Sequence, residues 1–162
     1  MTAFFLAVHV LAAILAIGPV AVAASMFPAA ARRLSHPGAP VRGVMAADQA
    51  ALRVLHRVCR VYALVGLAVP VFGFATASGL GVLRDAWVVA SVLLTAAAAA
   101  ILALAVLPRQ DAVLARLTAG DPPPAGTGRD VARLAMLTGV FNLLWAAVTV
   151  LMIVRPGSTT GV

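Results

Sequence analysis

The run AWVVASVLLTAAAAAILALAVLPRQ, Ala86 to Gln110, contains no charged side chain before Arg109. As a helix rising ~1.5 Å per residue, its apolar part is long enough to cross a hydrocarbon core of ~30 Å. Outward from it, residues 1–31, 61–83 and 134–154 are likewise free of charge. Each can cross once, so the sequence predicts an all-α integral membrane four-helix bundle. The expected spans are residues 2–27, 58–78, 86–107 and 131–154, within a single membrane domain.

Composition points the same way. The chain is 63% hydrophobic and only 10% charged, against roughly 25% charged in soluble domains. A chain of 162 residues cannot hide that much apolar surface within itself in water. Arg and Asp are its only charged residues, and this bias resembles that of bacterial proteins from GC-rich genomes. The net charge of +7 is not a nucleic-acid signature here, because the arginines flank the apolar runs, where guanidinium groups meet lipid headgroups. The expected partner is therefore the lipid bilayer, with no nucleic acid.

The arginines also set a direction. Ten of the twelve fall between Arg32 and Arg60 or between Arg109 and Arg133, leaving Arg84 and Arg155 on the other side. The positive-inside rule places loops 28–57 and 108–130 in the cytoplasm and both termini outside, in a bacterial cytoplasmic (inner) membrane. Ala21-Val22-Ala23-Ala24-Ser25 looks like a signal-cleavage site, but no basic residue precedes the apolar run, so the first span is expected to stay. The tail, residues 156–162, is expected to be disordered.

Local signals refine the spans. Gly18-Pro19 should bend the first, and Gly66, Pro70 and Gly73 the second. Helix should resume near Asp48 after Pro37, Gly38, Pro40 and Gly43. Asp85 can cap the third span, and Trp87 sits one turn in, at the level favoured by indole. Ala96 to Ala100 offer a surface that a neighbouring helix can approach closely. Pro108 should end the third span. Val113, Leu114 and Leu117 then share one side of a short helix, which either continues the third or lies in the interface. Thr127-Gly128-Arg129-Asp130 has capping-box spacing and marks the start of the fourth helix.

Chemistry has few places to sit. Ionisable and strongly polar groups inside a membrane are costly, which makes His9 and Asn142 the candidate functional residues. Both also suit a plainer role, as side chains bonded to a neighbouring helix. No Asp, Glu, Lys or Arg falls at mid-depth, which weighs against a proton relay, voltage sensor or ion-coupled transporter. Arg53, Arg57 and Arg60 share one face, expected to meet lipid headgroups or an acidic partner. His9, Met152, His56 and Cys59 are the residues that could ligate a metal. His9 and His56 are separated by roughly 20 Å of helix rise, too far apart to share one haem. A His9–Met152 pair at the outer end stays open. Glycine-rich phosphate loops, nucleophile elbows and paired carboxylates are absent from the sequence.

The chain resembles a group of bacterial integral membrane proteins, the domain of unknown function 2269, over most of its four spans. The matching segments are Val8-His9-Val10-Leu11-Ala12-Ala13-Ile14 with Gly18, Arg60-Val61-Tyr62, Asp85-Ala86-Trp87-Val88 with Ser91, and Leu107-Pro108. The opening is also distantly similar to the first helix of copper-resistance membrane proteins. Ala16, Ile17, Gly18 and Pro19 stand where those carry an aromatic and paired glycine. The resemblance implies a small four-helix membrane protein and no particular activity.

Taken together, the expected function is non-enzymatic: a multi-pass protein without a required cofactor that packs as a homo-oligomer or with another membrane protein. Two other readings are a haem- or copper-handling protein centred on His9, and a small-molecule permease hinged at Pro19 and Pro70.

Overall fold

The structure, a computed structural model, describes residues 2–34, 42–119 and 127–157, with the side chains of residues 42–45 and 127 outside the description. Among the described residues there are helices and turns and no strands. The helices are α1 (Thr2–Leu34), α2 (Arg42–Val65), α3 (Ala68–Leu80), α4 (Ala86–Ala100), a π-helical segment (Ile101–Val106), α5 (Leu107–Ala119) and α6 (Thr127–Val154). They form four rods long and apolar enough to cross a membrane: Thr2–Leu34, Ala46–Leu80, Ala86–Ala119 and Gly128–Val154. The chain is a four-helix membrane bundle.

α1 is its central element, packing against α2, α3 and α6. Its buried residues include Ala16, Val20, Ala23, Ala24, Phe27, Ala31 and Leu34, the spacing of a single helical stripe. α6 packs on α1 with one side and on α4 and the π-helical segment with another, while α5 leans on α2. The rods thus run second, first, fourth, third around the bundle, closed at the arginine-rich end by α5 against α2. The core lies toward that end, where Phe27, Leu52, Cys59, Ala98, Val106, Leu134 and Phe141 belong to one buried cluster.

The prolines within the rods have different outcomes. α1 continues through Pro19, and through Pro28, as one helix to Leu34, seven residues beyond the expected end of the span. The second rod breaks where a bend was expected. Pro70 has no N–H to give the Gly66 carbonyl, which instead accepts from the Val69 N–H at 3.1 Å, and the Leu67 N–H turns back to the Leu64 carbonyl at 3.1 Å. Tight bonds of this kind separate α2 from α3.

At Pro108, where the third span was expected to end, the helix itself does not stop. The helix passes from α4 through the π-helical turns into α5 without interruption to Ala119. A π turn uses i→i+5 bonds, as from the Leu107 N–H to the Leu102 carbonyl, and so makes room for a ring that would clash with the carbonyl four residues back. Arg109 Nη1 adds a bond to the Ala105 carbonyl at 2.8 Å. α5 is therefore a continuation of the third helix, and Val113, Leu114 and Leu117 pack against the core.

The other ends are also specific. α2 starts at Arg42, six residues before the expected Asp48, and so takes Gly43 into its first turn, where a glycine costs only about 1 kcal/mol relative to alanine. Residues 35–41 and 120–126, with Pro37, Pro40 and the proline run, lie outside the described residues, as does the tail 158–162. α3 ends at Gly81, whose φ of 71° is the left-handed conformation glycine adopts without strain. Asp85 stands at the N-cap of α4, but its carboxylate makes no cap bond. It accepts instead from Trp87 Nε1 at 3.2 Å. Arg155 closes this end, its guanidinium carbon 5.8 Å from the centre of the Trp87 ring, which ties α6 to α4 by a cation–π contact.

Candidate functional site

His9 and His56 lie on different helices and in different surroundings. His9 is buried on α1, 7% exposed, and its Nδ1 is 2.8 Å from the Val69 carbonyl of α3. A carbonyl only accepts, so Nδ1 carries the hydrogen and a neutral ring keeps its free lone pair on Nε2. The approach depends on Gly73. A Cβ there would sit 3.0 Å from His9 Cε1 and 3.2 Å from Nδ1, so tight that the ring would have to give by a few tenths of an ångström. Val69, Gly73 and Thr76 are spaced for one face of α3, and Val69 and Thr76 are buried there.

His56 belongs to a side-chain cluster at the arginine-rich end. Its Nδ1 donates to Gln110 Oε1 at 3.0 Å, and Gln110 Nε2 reaches Cys59 Sγ at 3.8 Å, which orients the amide. Its Nε2 faces Asp111 Oδ1 at 2.9 Å without the alignment of a hydrogen bond. Cys59 and Gln110 are fully buried, His56 nearly so, while the Asp111 side chain is 57% exposed. The cluster clasps α2 to α5. About 20 Å of rise separates His56 from Val69, the residue His9 touches, so the two rings occupy separate sites.

Asn142 sits midway along α6, and its Nδ2 donates to Ser25 Oγ at 3.0 Å; Ser25 in turn donates to the Ala21 carbonyl at 2.7 Å. The amide thus links α6 to α1. Its Oδ1, together with Thr138 Oγ1 and Trp145 Nε1, is buried without a protein hydrogen-bond partner. Residues 138, 142 and 145 share a helical face, so one side of α6 carries three unmet polar atoms in succession. Thr76, Ser91 and Thr149, by contrast, each bond the carbonyl four residues back, as helix hydroxyls commonly do.

Arg53, Arg57 and Arg60 are all exposed on α2, as their shared face predicts. Met152 is half-buried near the end of α6, and its carbonyl accepts from Arg155 Nε at 3.3 Å. Among the described residues, no three His, Cys, Asp or Glu side chains gather into a group that could hold a metal ion. Ser25, Gly73 and Gln110 are the site residues that sequence reasoning missed. Gln110 was within reach: in a helix continued past Pro108 it falls in line with Val106, Val113, Leu114 and Leu117.

No family model matches the chain, and no curated protein and no solved structure matches it either.

Proposed function

We propose that the chain is a non-enzymatic protein of the bacterial cytoplasmic membrane, both termini outside, that works by packing with itself or with another membrane complex. One observation supports this above the rest. Of the five alanines 96–100 only Ala98 is buried within the chain, while Ala96, Ala97, Ala99 and Ala100 are exposed. Lipid-facing small residues allow close approach of helix backbones, the contact by which helices associate in bilayers. The arginine bias between the two ends supports the orientation.

Size measurement in mild detergent tests it. The protein is expected to run as an oligomer or with a co-purifying membrane protein, and Ala99→Leu with Ala100→Leu to release the monomer. A purified protein that is monomeric and alone from the start would overturn the reading.

A second reading rests on His9. A ring held at Nδ1 by a backbone carbonyl, with its lone pair on Nε2, is how proteins prepare imidazole for a metal. A haem- or copper-handling protein would show a visible absorption band or bound copper that His9→Ala removes. A colourless, metal-free protein from native membranes would end it.

A further inference from the structure

Between α5 and α6, at the arginine-rich end, lies an open crevice of about 190 Å³ lined by Arg109, Ala112, Val113, Arg116, Asp130 and Leu134. The third rod places it. From Trp87 at one interface, the apolar run reaches Arg109 after about 33 Å of rise, the thickness of a hydrocarbon core. Arg109 to Arg116 covers a further ~10 Å, the depth of a headgroup layer. The crevice therefore opens among lipid phosphates.

Its lining is built in two parts. Ala112, Val113 and Leu134 form an apolar wall. Arg109 and Arg116 bring two guanidinium groups, and Asp130 one carboxylate. Arg109 spends one nitrogen on the Ala105 carbonyl, and a guanidinium has further donors. Arg116 Nη1 and Asp130 Oδ2 stand 4.0 Å apart on half-exposed or more exposed side chains, a contact that a ligand can replace at little cost.

We propose that this crevice is a binding site for a phospholipid headgroup. The phosphodiester lies between Arg109 and Arg116, Asp130 accepts from a headgroup hydroxyl or ammonium, and the glycerol and upper acyl chain rest on Ala112, Val113 and Leu134. The lining carries a formal surplus of one positive charge, which matches one phosphodiester. Asp130 accounts for selectivity, since a choline headgroup has no N–H or O–H to offer it.

Native mass spectrometry of the delipidated protein in detergent, titrated with phosphatidylglycerol, phosphatidylethanolamine, phosphatidylcholine and inorganic phosphate in turn, tests the proposal. Phosphatidylglycerol and phosphatidylethanolamine are expected to bind more tightly than phosphatidylcholine. Arg109→Gln with Arg116→Gln should weaken them about 25-fold. The paired control, Arg53→Gln with Arg57→Gln, removes the same charge from an exposed face of α2 and should leave them unchanged. Arg116→Gln alone, which spares the bond to Ala105, should lose about fivefold and decides the matter if the double variant does not fold. Equal losses in the control, no loss in either crevice variant, or phosphatidylcholine binding as tightly as the others would overturn it. Inorganic phosphate competing at the same concentration would overturn it too, by showing a free-anion site.

Discussion

The two buried histidines are held by opposite means. His56 depends on a side chain, Gln110 Oε1 at 3.0 Å. His9 depends on a backbone carbonyl, that of Val69, and on the missing side chain of Gly73. A clasp of side chains can be dismantled by changing either partner. A pin on the backbone survives any change at the accepting residue and yields only to steric exclusion. The difference therefore predicts which substitutions matter before any function is known.

The largest expected effect is Gln110→Ala. It removes the acceptor from a buried imidazole and opens space in a fully packed position, and should cost about 3 kcal/mol. Reversible unfolding in detergent measures it, and the ¹⁵N signal of the protonated His56 Nδ1 should broaden or vanish. Gly73→Val comes next, at about 2 kcal/mol, because a Cβ within 3.0 Å of the His9 ring forces the ring or α3 to move. Val69→Ala should cost about 1 kcal/mol in packing while the His9 Nδ1–H signal persists, which is the sharpest separation of pin from clasp. Loss of that signal in Val69→Ala would break the comparison. Asp111→Asn should change stability by less than about 1 kcal/mol, since the carboxylate is largely exposed.

The same contrast explains what the sequence could show. Four spans were legible because charge-free runs and flanking arginines are written in side chains, and so was the interruption near Pro70. The partner of His9 was not, because a backbone carbonyl has no residue type to mark it. Gly73 could be seen only as a weak bend signal. Gln110 was hidden for a different reason, because the segment after Pro108 could be either a continuation of the third helix or a strip in the interface. The π-helical turns from Ile101 to Val106 that carry the helix past that proline have no signature in an all-apolar run. Asn142 was visible as an amide at mid-depth, but its partner Ser25 was one of several helix hydroxyls that look alike in sequence.

Those turns have a geometric consequence. Below them α5 extends about 18 Å as a stiff rod, from Leu107 to Ala119. The wider π turns offset the face that this rod presents from that of an unbroken α-helix, so Ile101–Val106 set which side of α5 meets α2. Gln110 is thereby aimed at His56 and Cys59.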